Sequence, residues 1–165
     1  MPFDAVEHAH TQRVIAFLQN ETQPFARSTR SGHITGSAFL VDVAQQNTLL
    51  IWHTKLQRWL QPGGHCEPDI DANVAATALR EALEETDLPA SAVQLFSPRL
   101  FDVDVHRISA HKDEPDHWHY DIRFLFTART TAALPQNGQW VSLHSVATWP
   151  EASLARMAQK CWRAV

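Results

Sequence analysis

The segment TALREALEETDL at residues 77–88 concentrates acids at spacings that a helix turns into a cluster. Arg80, Glu81, Glu84 and Glu85 fall at i, i+1, i+4 and i+5, so Glu81 neighbours both Glu84 and Glu85, and Arg80 neighbours Glu84. Like charges on adjoining turns repel by about a few tenths of a kcal/mol per exposed pair, and by more when buried. A hard divalent cation turns that repulsion into binding energy. Magnesium prefers oxygen ligands and commonly shares carboxylates with substrate phosphates. The competing reading is a solvated helix with ordinary Glu–Arg pairs. The residues upstream of the helix decide between the two.

A second group lies on a strand. In His117-Trp118-His119-Tyr120-Asp121-Ile122-Arg123-Phe124, polar and apolar residues alternate, which puts His117, His119, Asp121 and Arg123 on one face. Asp102, Asp104 and His106 alternate in the same way with Val103 and Val105. An antiparallel hairpin around the polar loop 109–116 pairs His106 with His119, Asp104 with Asp121, and Asp102 with Arg123. A one-residue slip would break that arrangement. Such a patch suits a pocket wall for phosphate or base, or a second metal, because His-x-His on one face suits zinc or another transition metal. A hydrogen-bonded polar face is the alternative. His65, after Gly63-Gly64, faces either the cleft or solvent. Cys66 lacks a nucleophile's setting. His8 and His10 read as surface residues, and the six tryptophans as mostly core or half-buried.

The elements that must position these groups follow from pattern. Asp4 to Gln19 reads as a helix, and residues 20–33 as a polar loop. Ser37–Val43 and Thr48–His53 form a hairpin around AQQN, and a short strand or turn near Leu56–Leu60 ends at Pro62-Gly63-Gly64. Residues 72–86 are the clearest helix, alanine-rich, with Val74, Ala78, Leu79, Ala82 and Leu83 inward and Asp69 or Asp71 as cap. Strands follow at about 93–108, 117–129 and 139–144. A closing helix runs from about 150 to 163 with Leu154, Met157, Ala158, Cys161 and Trp162 inward. This order predicts an α/β sandwich with a mixed central sheet, as one domain over 1–165: an N-terminal helix and loop over 1–33 and a core over 34–165.

The 165 residues suffice for one sizeable core, and 44% hydrophobic with 19% charged residues is an ordinary globular composition. A net charge of −4 gives no broad basic field for nucleic acid or anionic membranes. Two cysteines make no disulfide framework. No apolar run reaches the roughly 18 residues of a membrane span, and the N-terminus lacks a signal peptide's features. The expectation is a cytoplasmic protein without nucleic-acid or membrane partners.

Residues 59–88, WLQPGGHCEPDIDANVAATALREALEETDL, resemble the Nudix box. The second half matches from Arg80 through Leu88, and the first half as Gly63-Gly64 preceded by Trp59, Leu60 and Pro62. SAFLVDVAQQNTLLIWHTKLQRWLQPGGH and the later DVDVH and EPDHWHYDIRF extend the likeness over roughly 35–130. Two departures stand out. The loop after Gly64 is two residues longer than the family pattern, so the upstream glutamate has no counterpart and Asp69 or Asp71 is left to orient Arg80. Asp87 stands where the family has glycine.

The resemblance implies a Nudix-like α/β/α fold and hydrolysis of a nucleoside diphosphate linked to another moiety. It implies magnesium, with manganese as a substitute, held by Glu81, Glu84, Glu85 and the Gly64 carbonyl. Glu81 is the candidate general base and Arg80 a structural brace. His65, His117, His119 and Asp121 are expected to line the substrate cleft. The substrate class is a nucleotide or other diphosphate, and a homodimer is among the assemblies allowed. The rival readings are a nucleotide-binding module without catalysis and an isomerase of the isopentenyl diphosphate type, whose extra catalytic cysteine and acids are not evident.

Overall fold

At the centre of the sheet lies β1 (Gly32–Asp42), buried along its whole length. The computed structural model describes residues 2–110, 115–129 and 134–162. The tip of the expected 109–116 loop and the last residue of the expected closing helix fall outside them. β1 pairs in parallel with β7 (His117–Ala128) over eleven residue pairs, from Gly32 opposite Trp118 to Asp42 opposite Ala128. Its other partners are antiparallel: β2 (Asn47–His53) and the short β4 (Gly63–His65). β3 (Arg58–Leu60) and β8 (Gly138–Ser142) add to β2. β5 (Val93–Leu95) and β6 (Asp102–Ile108) add to β7. The expected single strand at 93–108 is therefore two strands. β1 also begins inside the stretch expected to be a loop, because a strand with a neighbour on each side buries a polar residue such as His33 that read as loop.

Alternation along β1 builds two cores. Phe39 and Val41 pack with Leu50 and Leu125 against α3 (Leu143–Val146) and α4 (Ala152–Cys161), through Leu154, Met157 and Ala158. Ala38 and Leu40 pack with Leu49, Phe124 and Phe126 against Ala78 and Ala82 of α2 (Val74–Thr86). The result is the expected sandwich: helices on both faces of a mixed sheet. Cys161 is buried as expected, but Trp162 is 50% exposed rather than inward, one residue past the end of α4.

α2 lies unusually near β1. A Cβ on Gly36 would sit 2.8 Å from the Val74 carbonyl oxygen, so only glycine permits this approach. α1 (Ala5–Asn20), capped by Asp4, lays Val14 and Phe17 on Val103, Val105 and Tyr120, with the Phe17 and Tyr120 rings stacked at 4.0 Å.

Beneath β6 and β7 runs a buried ionic layer. Asp102 accepts from Arg123 at 3.2 Å, from Arg156 at 2.9 Å and from Lys160 at 2.7 Å. Lys160 also donates to the buried Glu7 of α1. Desolvation opposes the Asp102 charge, but these cations outweigh it and hold the carboxyl below its usual range. The β6–β7 register is the one expected, with Asp102, Asp104 and His106 opposite Arg123, Asp121 and His119.

Candidate functional site

α2 starts at Asn73, whose side chain accepts from the Ala76 N–H at 3.0 Å. Neither Asp69 nor Asp71 is the cap, because Asp71 is engaged elsewhere. Its carboxylate takes Nε and Nη2 of Arg80 at 3.1 and 3.0 Å, the Thr77 hydroxyl at 2.9 Å and the Glu67 N–H at 2.9 Å. These donors, with Arg80 foremost, depress the Asp71 carboxyl. Arg80 also donates to the His65 carbonyl at 2.9 Å and to Glu81 at 2.8 Å. It thus ties the loop of residues 65–71 to the helix. Glu67, overlooked in the sequence, lies 3.6 Å from the same guanidinium.

The helix ends on Asp87 in the left-handed conformation, φ 55°, with its N–H on the Leu83 carbonyl. This is the geometry for which glycine is usual.

Gly64 meets the acids directly. A Cβ there would lie 2.4 Å from Cδ of Glu81, so the absence of a side chain lets that carboxylate rest on β4. Desolvation raises the Glu81 carboxyl against the pull of Arg80. Glu85 accepts from the Gly63 N–H at 3.2 Å. Desolvation of the carboxyl pushes it up, with repulsion from Glu81 and Glu84 adding, and the residue as a whole is exposed, which moderates the rise. The Glu84 side chain is 59% exposed and reaches Arg80 at 3.5 Å. Arg80 is the cation facing these acids, and Asp71 already holds two of its nitrogens.

β4 carries the chain from the acids to a nest of histidines. The His65 ring is 4.9 Å from His33 and 5.1 Å from His119. His117 and His119 sit 5.0 and 4.9 Å from His33, and His106 lies 5.5 Å from His119. Desolvation, with the neighbouring rings His65, His106, His33 and His117 adding, pushes His119 down to about 2 and keeps it neutral. An open cleft of about 900 Å³ borders the nest, lined by Arg27, Arg30, His33 and His117 among others.

The structure brings the rings of His65, His117 and His119 together, with His117 of the three lining the cleft, but places Asp121 below them. Asp121 is 2% exposed, and it accepts from Thr35, Ser37 and Arg123 at 2.7–3.0 Å. It shares the strand face without reaching the cleft. His10 is not a surface residue: its Nδ1 lies 3.2 Å from Asp104, with 18% of the side chain exposed. Sequence reading missed His33, Arg27 and Arg30. For His33, the one available signal was its place before an apolar run, and the parallel pairing that sets it opposite His119 is non-local. The Cys66 thiol is raised by desolvation and bonded to Thr77, which does not suit a nucleophile.

The NUDIX domain model matches residues 33–160. The chain belongs to the Nudix family. Solved structures share its fold. Ap4A hydrolase from C. elegans superposes with a TM-score of 0.57 at 15% identity, covering 79% of this chain and 96% of that one. A NUDIX-family hydrolase from Clostridium perfringens gives 0.54 at 21%, covering 81% and 98%. The NUDIX domain of Shewanella oneidensis NrtR in complex with ADP ribose gives 0.50 at 19%, covering 92% and 98%. No curated protein matches. No helix among the described residues is long and apolar enough to cross a membrane.

Proposed function

We propose that this Nudix protein is a magnesium-dependent pyrophosphohydrolase that cleaves the phosphoanhydride of a nucleoside diphosphate linked to another moiety. Manganese is the expected substitute. The observation that carries the reading is the excess of acid at Gly64: Glu81, Glu84 and Glu85 gather on α2 beside a glycine that admits a carboxylate, with one committed arginine to balance them. This donor set, all oxygen and net negative, fits a hard divalent cation. Glu81, Glu84, Glu85 and the Gly64 carbonyl would hold it. Bound there, magnesium supplies phosphoryl polarisation and a lower pKa for water.

The chain's own groups do the rest. Glu81, on α2 with its carboxylate against Gly64 and backed by Arg80, is the candidate base for the water proton. Arg80 positions the loop through Asp71 and the His65 carbonyl. His117 lines the cleft with His65 and His119 in the nest beside it, and Arg27 and Arg30 give it cations for an anionic substrate. Asp121 acts from beneath by fixing Thr35, Ser37 and Arg123. The whole chain serves as one domain.

The nucleotide class is supported by the Nudix relatives of like fold that carry Ap4A hydrolase and ADP ribose in their names. The test is a screen of nucleoside triphosphates, nucleotide sugars, dinucleoside polyphosphates and oxidised nucleotides with magnesium, following phosphate or pyrophosphate release. Release abolished in Glu81→Gln supports the assignment. Saturable nucleotide binding with no release from any compound would make the protein a binding module instead.

A further inference from the structure

The histidine nest holds more convergent nitrogen than a pocket wall requires. His33, His117 and His119 present ligand atoms that all lie within 4.8 Å of one another. No other group of three among the described residues converges this closely. They come from two strands, with His33 on β1 directly opposite His119 on β7. The parallel pairing at the centre of the sheet therefore fixes their spacing. His33 is 1% exposed, so one donor is rigidly sunk in the fold.

We propose that His33, His117 and His119 form a binding site for a divalent transition-metal ion of the zinc, cobalt or nickel class, separate from the glutamates of α2. Three details of the geometry argue for it. The Nε2 atoms of His117 and His119 are 3.3 Å apart. Two nitrogens in a tetrahedral shell around zinc, each at about 2.0–2.1 Å, are separated by about 3.3–3.4 Å. The second detail is tautomer. His117 Nδ1 lies 2.9 Å from the Pro115 carbonyl, which can only accept, so Nδ1 carries the proton and Nε2 turns a lone pair toward His119. Metal-bound histidines have this outer hydrogen bond as a rule. The third is donor type: imidazole nitrogens suit zinc, copper and nickel, whereas magnesium and calcium take oxygen.

His106 is similarly oriented, with Nδ1 3.0 Å from Asp104, and stands as the outer neighbour of His119. His33 and His117 also line the cleft, so the ion sits beside Arg27 and Arg30. An imidazole–imidazole hydrogen bond explains the 3.3 Å separation equally well but gives no reason for a third ring with a nitrogen within 4.8 Å of both.

The full chain, stripped of metal with a chelator and dialysed, is titrated with Co2+ and followed by its visible d–d absorption and by calorimetry. The expected result is one equivalent bound with the spectrum of a nitrogen-rich site. Zn2+ should displace it, and a large excess of Mg2+ should not. His117→Gln/His119→Gln should weaken Co2+ binding by about 100-fold or more. Glu84→Gln/Glu85→Gln should leave it unchanged. The single change His117→Asn, at a half-buried position, gives the same reading if the double variant does not fold by circular dichroism. Failure of the wild type to bind Co2+, equal binding by the folded histidine variants, or loss of binding in the glutamate variant would each overturn the proposal.

Discussion

Beneath β6 and β7, the four carboxylates of Glu7, Asp102, Asp104 and Asp121 meet the three cations of Arg123, Arg156 and Lys160, all buried. Around the loop after β4, Glu67, Asp71, Glu81 and Glu84 meet Arg80, with Glu85 beside them, and among the described residues no other cation is paired with these five carboxylates. The residue types are the same; the balance and the solvent are not. In the first cluster nearly every charge is answered by the fold, so its energy goes into holding α1, α4 and the sheet together. In the second the fold leaves negative charge unanswered at an accessible edge, as the proposed cation site requires. Counting charges against partners separates the two roles where residue type cannot.

Four variants and one titration break or sharpen that contrast. The largest effect is expected at Asp102. Asp102→Asn leaves Arg123, Arg156 and Lys160 without their shared partner and should cost about 3–5 kcal/mol in denaturant unfolding. A loss below about 1 kcal/mol would mean that the layer is not an energetic unit. Next is Arg80→Ala, which releases Asp71, the His65 carbonyl and Glu81 together. It should lower stability by about 2 kcal/mol and turnover with it. A variant with an unchanged melting temperature and only a raised KM would make Arg80 a substrate contact.

The pH profile comes third. Because the Asp102 carboxyl lies below its unfolded value of about 3.9, its contribution is complete above that pH and is lost as pH falls through the folded value. Unfolding free energy of the wild type should therefore drop more steeply below about pH 4 than that of Asp102→Asn.

The glutamates should behave oppositely. Without metal, Glu84→Gln/Glu85→Gln removes repulsion and should raise stability by about 0.3–1 kcal/mol, while Mg2+ affinity falls. Equal Mg2+ affinity in both proteins would remove the metal assignment. The smallest change is Asp87→Gly, which relieves the left-handed backbone at φ 55° and should stabilise by about 0.5 kcal/mol or less. Thermal unfolding resolves its sign.

Much of this organisation was legible in the sequence because it is local or strictly periodic. The α2 helix, with alanines inward and acids outward, follows from spacing alone. The β6–β7 register follows from two alternating runs whose polar faces are complementary in charge. Other parts depend on contacts between distant residues. Lys160 and Glu7 are 153 positions apart, and no pattern links them. His33 looked like the end of a loop because its burial comes from strands on either side. Asp121 shares a face with His119, as the period demands, but period does not report depth. Asn73 took the capping place because Asp71 was drawn to Arg80, a competition visible only once the loop is folded.

The parallel pairing of β1 with β7 also sets the order in which the molecule can be made. Residues 32–42 emerge from synthesis well before their longest partner, residues 117–128. Until that partner arrives, an eleven-residue strand, apolar over its second half, offers an open edge to any other chain. Folding should be slow for the protein's size, since the central ladder closes a large loop before it is rewarded. In pulsed hydrogen exchange during refolding, amides of β1 should gain protection together with those of β7 and no sooner than those of the β6–β7 hairpin. Early protection of β1 by itself would show that β2 and β4 suffice to hold it. Crowded synthesis at high expression should thus favour aggregation through this strand, and slower translation or lower temperature should recover folded protein.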